Sequence, residues 1–147
     1  MDKTEALRPL ASEELELLQW MFEHGSEDLR TFRPQIEGIR ASRWCTCGCP
    51  SINLEVAESA PLGLDRGETV IGDFGGKTAR GELVGVLLFQ HSGRLTLLEV
   101  YSMDGQVKEE SGEFGLPAID SLSLLEWEPL PGHSNVKVPA KSPKSPA

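Results

Sequence analysis

Three cysteines stand at alternate positions in Arg43-Trp44-Cys45-Thr46-Cys47-Gly48-Cys49-Pro50-Ser51, and the chain contains no others. A thiolate is a soft ligand suited to zinc or copper(I), and it is also the reactive form of cysteine in redox chemistry. Alternate residues of an extended strand point to one face, but their sulfurs are then spread along it. Only a bend at Gly48 gathers Cys47 and Cys49 around one ion. Tetrahedral zinc also needs a fourth ligand, which His24, His91 or His133 supplies only through the fold. The paired C-x-x-C spacing of zinc modules is absent, and three thiols cannot all pair within one chain. Redox chemistry requires a thiolate stabilised by a nearby cation or helix N-terminus, and Arg43 is the only adjacent cation. The bland reading is structural or incidental thiols. The sharper alternative is a zinc or copper site at Cys45, Cys47 and Cys49, with redox chemistry third.

Other stretches invite chemistry and lose it on inspection. Gly72-Asp73-Phe74-Gly75-Gly76-Lys77-Thr78 has the ending of a phosphate-binding loop. Its spacer is one residue short, however, and a strand pattern rather than a helix follows. Asp73-Phe74-Gly75 has no kinase motif around it, so both read as loop residues. No Gly-x-Ser-x-Gly, His-Glu-x-x-His or local Cys–His pair occurs. His24 reads as a last-turn residue answering a helix dipole, His91 as a solvated turn residue, and His133 as part of a tail. Glu99 interrupts an apolar strand and faces either solvent or a pocket. A dispersed active site of Glu99, Tyr101 and His91 is the enzymatic alternative. Glu109, Glu110 and Glu113 form an acidic run, a solvated loop in the bland reading and the contact for a basic protein partner in the sharper one. Trp20, Trp44 and Trp127 are expected in or beside the core, and exposure of one would mark a binding surface.

Composition sets the frame for these sites. The 147 residues are 39% hydrophobic and 25% charged, ordinary for one globular domain long enough to bury a core. The net charge of -9 argues against a nucleic-acid partner, which demands a basic footprint. Residues 1–128 carry 23 acids and 11 bases, whereas the last 19 residues carry three lysines and no acid. The polar start Met1-Asp2-Lys3-Thr4-Glu5 is unlike a signal peptide, and no apolar run approaches the ~20 residues of a membrane span. A cytoplasmic address without membrane contact is therefore expected.

The elements that must position these groups follow from periodicity. Residues 1–11 read as a polar lead-in and 12–128 as the domain. From Ser12, expected as N-cap, Leu15, Leu17, Leu18, Met21 and Phe22 fall on one broad helical face over 12–24, closed by Gly25. Residues 26–32 add a further turn before Pro34. The period then changes to two, giving a strand through Ile39, Ala41, Cys45 and Cys47 and another through Ile52, Leu54 and Val56, with the cysteines at the bend. Residues 59–81 read as loop with a short strand at Val70–Ile71 and a turn at Gly75–Gly76. Glu82 to Gln90, apolar at both parities, suits a central strand covered on both faces, and Leu95 to Ser102 returns beside it. Leu122 to Trp127 is a last element of undetermined type. Beyond Pro129, residues 129–147 are a Pro-, Ser- and Lys-rich tail expected to be disordered. The sum is an α+β domain: an N-terminal amphipathic helix on a four- to five-stranded, mainly antiparallel sheet built from hairpins.

Cys45-Thr46-Cys47-Gly48-Cys49-Pro50-Ser51-Ile52 and Leu97-Leu98-Glu99-Val100-Tyr101-Ser102-Met103-Asp104-Gly105 together resemble small bacterial, often actinobacterial, proteins of unknown function. The resemblance spans about residues 12–127 through two short motifs, implies a stand-alone cytoplasmic protein, and carries no activity or site residue. The leading expectation is a non-enzymatic protein-binding module, by analogy with small acidic immunity or regulatory proteins. The alternative is a metal protein using the cysteine cluster. The metal alternative predicts about one zinc or copper per chain in protein purified without chelator, lost when any two of Cys45, Cys47 and Cys49 are replaced by Ser. Full metal content in such a variant would exclude the site.

Overall fold

The computed structural model describes residues 7–44, 49–103, 114–129 and 135–139. Helix α1, Ser12–His24, forms where the sequence pattern places it, and Leu17, Leu18, Met21 and Phe22 are each at most 1% exposed. Fully burying such side chains contributes roughly 1.5–3 kcal/mol apiece, which is what seats the helix. The N-cap is Ala11 rather than Ser12. Alanine has no oxygen to offer, so the Glu14 carboxylate takes the Ala11 N–H instead, at 2.8 Å. Gly25 ends the helix in extended backbone, its N–H donating to the Met21 carbonyl at 2.8 Å. A short helix α2, Glu27–Arg30, starts at Ser26, whose hydroxyl accepts the Leu29 N–H, and a 3-10 turn at Arg33–Ile36 follows.

Among the described residues eight strands form one antiparallel sheet: β1 Arg8–Pro9, β2 Arg40–Arg43, β3 Ile52–Glu55, β4 Val70–Lys77, β5 Leu83–His91, β6 Arg94–Ser102, β7 Ser123–Pro129 and β8 Asn135–Pro139. Their order is β1-β2-β3-β6-β5-β4-β7-β8, so the α+β expectation holds with more strands than the four or five expected. β4, β5 and β6 are a meander. β3 lies beside β6 and β7 beside β4, so each long connection crosses two strands, as in Greek keys. The β5–β6 turn is Ser92-Gly93, with φ of 54° and 84°, closed by the pair His91 and Arg94. Two successive positive φ values are those of a type I′ hairpin turn, whose twist matches the strands it joins.

One face of this sheet carries the core. Phe74 of β4, Val84, Val86 and Leu88 of β5, Leu98 and Val100 of β6 and Ile52 of β3 are buried with the apolar stripe of α1. Register puts Asp73, Leu87 and Glu99 in one row of the opposite face, and Phe89 and Leu97 in the next. Leu87 and Phe89 are half-buried and Leu83 is exposed, so β5 is covered fully on one face, not on both as its apolar run predicts.

Residues 70–77, expected as a short strand, loop and turn, are instead the continuous strand β4. Glycine there permits close approach rather than a turn. A Cβ on Gly72 would lie 3.1 Å from Met21 Cε and 3.2 Å from Leu88 Cβ, so a side chain would force Met21 or Leu88 to give way. The last element is a strand, β7. Within the stretch expected as a tail, Asn135–Pro139 forms β8 against β7, an edge pairing that the alternation Val136-Lys137-Val138 supports. Residues 130–134 and 140–147 lie outside the described residues.

Two buried amides tie the long β3–β4 connection to the core. Gln35, 0% exposed, donates to the carbonyls of Pro61 (2.9 Å) and Gly93 (2.7 Å) and accepts the Leu95 N–H (3.0 Å). Gln90 donates to Asp65 (2.9 Å) and the Glu68 carbonyl and accepts the Gly93 N–H (2.8 Å). Each is satisfied on both ends, and deleting either would strand buried backbone groups at a cost of about 1–3 kcal/mol apiece.

Candidate functional site

Two adjoining concavities of the described surface meet at the N-terminal half of α1. The first, about 380 Å³, lies where β1, the first turn of α1 and the ends of β2 and β3 converge, and Arg8, Glu14, Ser42, Arg43, Cys49 and Leu116 are among its lining. Arg8 holds Glu14 as a two-pronged fork, Nη1 to Oε1 and Nη2 to Oε2, both at 2.9 Å. Burial alone would push the Glu14 carboxyl up. The hydrogen bonds from Arg8, the Ala11 N–H and the guanidinium charge outweigh it and hold the carboxyl below the usual glutamate range. The Arg8 guanidinium moves up in answer, chiefly through its hydrogen bonds to Glu14.

The hairpin side of this cleft is fixed by Ser51. Its hydroxyl accepts the Val100 N–H at 2.8 Å and donates to the Val100 carbonyl at 3.2 Å, pinning the start of β3 to β6. Cys49 and Pro50, half-buried, precede it. Trp44 continues β2 by donating its N–H to the Ser51 carbonyl at 3.3 Å, yet its side chain remains 44% exposed. Arg43 beside it is exposed and has no ion-pair partner among the described residues.

The second cleft, about 430 Å³, adjoins the first through shared Glu13 and Leu116. Its lining is mostly aliphatic: Ala79 of the β4–β5 turn and the segment from Leu116 to Ile119, with Glu13 and Glu16 of α1. That segment is anchored by the Ala118 N–H donating to the Lys77 carbonyl at 2.8 Å. Ser121 Oγ strengthens the anchor, accepting the Lys77 N–H at 2.8 Å.

Of the cysteines, only Cys49 falls in the described structure; Cys45 and Cys47 lie outside the described residues. Among the described residues no group of three or more His, Cys, Asp or Glu side chains is placed to hold a metal ion. Glu109, Glu110 and Glu113 also lie outside the described residues. His24 donates Nδ1–H to the Trp20 carbonyl at 2.9 Å and stacks on the Trp20 ring with centroids 4.2 Å apart. Trp20 itself meets Phe74 edge-on at 5.2 Å, a core-edge position. Glu99 and Tyr101 sit on the sheet face away from α1, with the Tyr101 ring lying across Gly85, whereas His91 is exposed at the end of β5. None of these three lines either cleft.

Sequence reasoning missed Arg8 and the contacts that Glu14 makes with it and with the Ala11 N–H. The signal for Glu14 was its spacing three residues after the cap, the position from which a carboxylate reaches back to the cap N–H. No such local signal joins Leu116–Ile119 to α1, because they meet only through the fold. Among the described residues no helix is long and apolar enough to cross a membrane. Comparison with protein-family models, curated proteins and solved structures finds no match to the chain.

The Arg8–Glu14 fork carries a pH signature. Because the folded carboxyl titrates lower than in the unfolded chain, its stabilisation is present above the ordinary glutamate range and is lost as pH falls through the folded value. Arg8 is 44% exposed on its side chain, so solvent screens the pair to about 1 kcal/mol. Arg8→Gln is expected to lower Tm by a few degrees at neutral pH, with the gap to wild type closing below about pH 4. A gap that persists unchanged at pH 3 would show that Arg8 acts through packing instead.

Proposed function

We propose that this chain is a non-enzymatic binding module of cytoplasmic, bacterial type whose task is to engage a protein partner. The observation that carries the reading is Trp44, 44% exposed at the end of β2 beside the first cleft. A large aromatic left in water forgoes the several-fold gain of burial, and tryptophan is among the residues most enriched at the centres of protein interfaces. Its neighbours favour the same use. Ser42, Arg43 and Cys49 line that cleft with polar and soft contacts, and the Ser51 lock holds the start of β3 beside them in place, which lowers the ordering cost of binding there. The acidic body, -9 in all, would steer a basic partner toward the chain.

The proposal predicts that the tagged chain, expressed in its native cells, retains a stoichiometric protein partner at low salt. Trp44→Ala should reduce the retained amount by about tenfold while leaving Tm unchanged within a degree or two, since an exposed side chain supports little of the fold. A variant retaining the partner as well as wild type would contradict the reading, as would a wild-type chain that retains none.

A further inference from the structure

The second cleft has a chemistry distinct from that of the hairpin end, and it says what kind of segment fits it. Its interior is aliphatic, formed by Ala79 and the segment from Leu116 to Ile119, and its α1 side is formed by Glu13 and Glu16. These two carboxylates are exposed, stand three residues apart on one face of the helix, and are ion-paired to no described residue. Gln19 and Glu23 continue the same exposed stripe, which carries no cation between Ser12 and Glu23. An apolar slot beside an acidic stripe that no described cation neutralises is complementary to one pattern: aliphatic side chains flanked by lysine or arginine.

Other concavities and faces carry less. The first cleft is occupied at its acidic end by the closed Arg8–Glu14 fork. The small hollow beside Arg66 is closed by its own ion pair with Asp28 at 2.6 Å. The sheet face bearing Phe89 and Leu97 has nothing around it that specifies an occupant.

We infer that the cleft between α1 and the segment from Leu116 to Ile119 is the docking site for a basic-aliphatic segment of the protein partner. The aliphatic residues fill the slot, and the flanking cations reach Glu13 and Glu16. At about 430 Å³ the slot accommodates a few aliphatic side chains, within the size range of small ligand pockets. This rests on the partner-binding reading and deepens it by naming the partner's chemistry.

The test uses the full chain and a fluorescein-labelled peptide, Gly-Ser-Lys-Leu-Leu-Lys-Ser-Gly, followed by anisotropy at low salt. Two control peptides replace the leucines by glycine or the lysines by glutamate. The parent peptide is expected to bind at least about tenfold more tightly than either control, because both components are required. Glu13→Gln/Glu16→Gln should weaken it by about tenfold. Ala79→Trp, which fills the slot from an exposed turn, should abolish binding; the Glu-to-Gln double variant remains decisive should Ala79→Trp fail to fold. Equal binding of the leucine-free control would show only attraction between a cationic peptide and an acidic protein, and would overturn the inference. So would the absence of binding, or binding untouched by the double variant. Partner capture that is lost in Trp44→Ala but unaffected by the double variant would overturn this site while leaving the partner-binding reading in place.

Discussion

The seating of α1 on the sheet is the contact on which the rest of the molecule depends. One helix must cover the central strands, and it does so with Leu17, Leu18, Met21 and Phe22. The approach is close because β4 presents Gly72 beneath Met21, where even a methyl group would press on both Met21 and Leu88. Packing at that density tolerates little displacement, so the core beneath the helix sets its position. The N-terminal turn inherits that placement. Arg8 clamps Glu14 there, β1 is held against β2, and both clefts take their α1 wall from residues whose positions are set by the buried stripe one turn further on.

Much of the fold was legible because its signals were local. The 3.6 period over Ser12–His24, the return of Leu95–Ser102 beside the strand before it and the alternation in Ile52–Glu55 each follow from neighbouring residues alone. β4 was not legible. Gly72 reads as a loop residue and Gly75–Gly76 as a turn, whereas Gly72 lies in a strand against a helix about fifty residues away in sequence. β8 was hidden for a different reason: the composition of the tail outweighed a short alternation around Lys137. The site was less legible than the fold. The cysteine hairpin directs attention to the end of β2, where Trp44 is exposed, but the second cleft is built from Leu116 to Ile119, which no spacing connects to Glu13 or Glu16.

Fold and site differ in what holds them. The core is apolar and continuous, and the long connection is locked to it by two fully satisfied amides, Gln35 and Gln90. The proposed contact surface avoids both. It uses an exposed indole, an aliphatic slot and exposed carboxylates with no ion pair among the described residues, so a partner can bind there without disturbing the packed sheet. That separation makes the functional proposal testable by surface substitution, because Trp44, Glu13 and Glu16 can be changed while the core is left intact.

The account is tested most directly by hydroxyl-radical footprinting of the chain alone and in complex with its captured partner. Oxidation of Trp44, Leu116 and Ile119 is predicted to fall together on binding, with Phe89 and Leu97 unchanged. Protection of Phe89 and Leu97 instead, with Trp44 still reactive, would place the partner on the opposite sheet face and contradict the account.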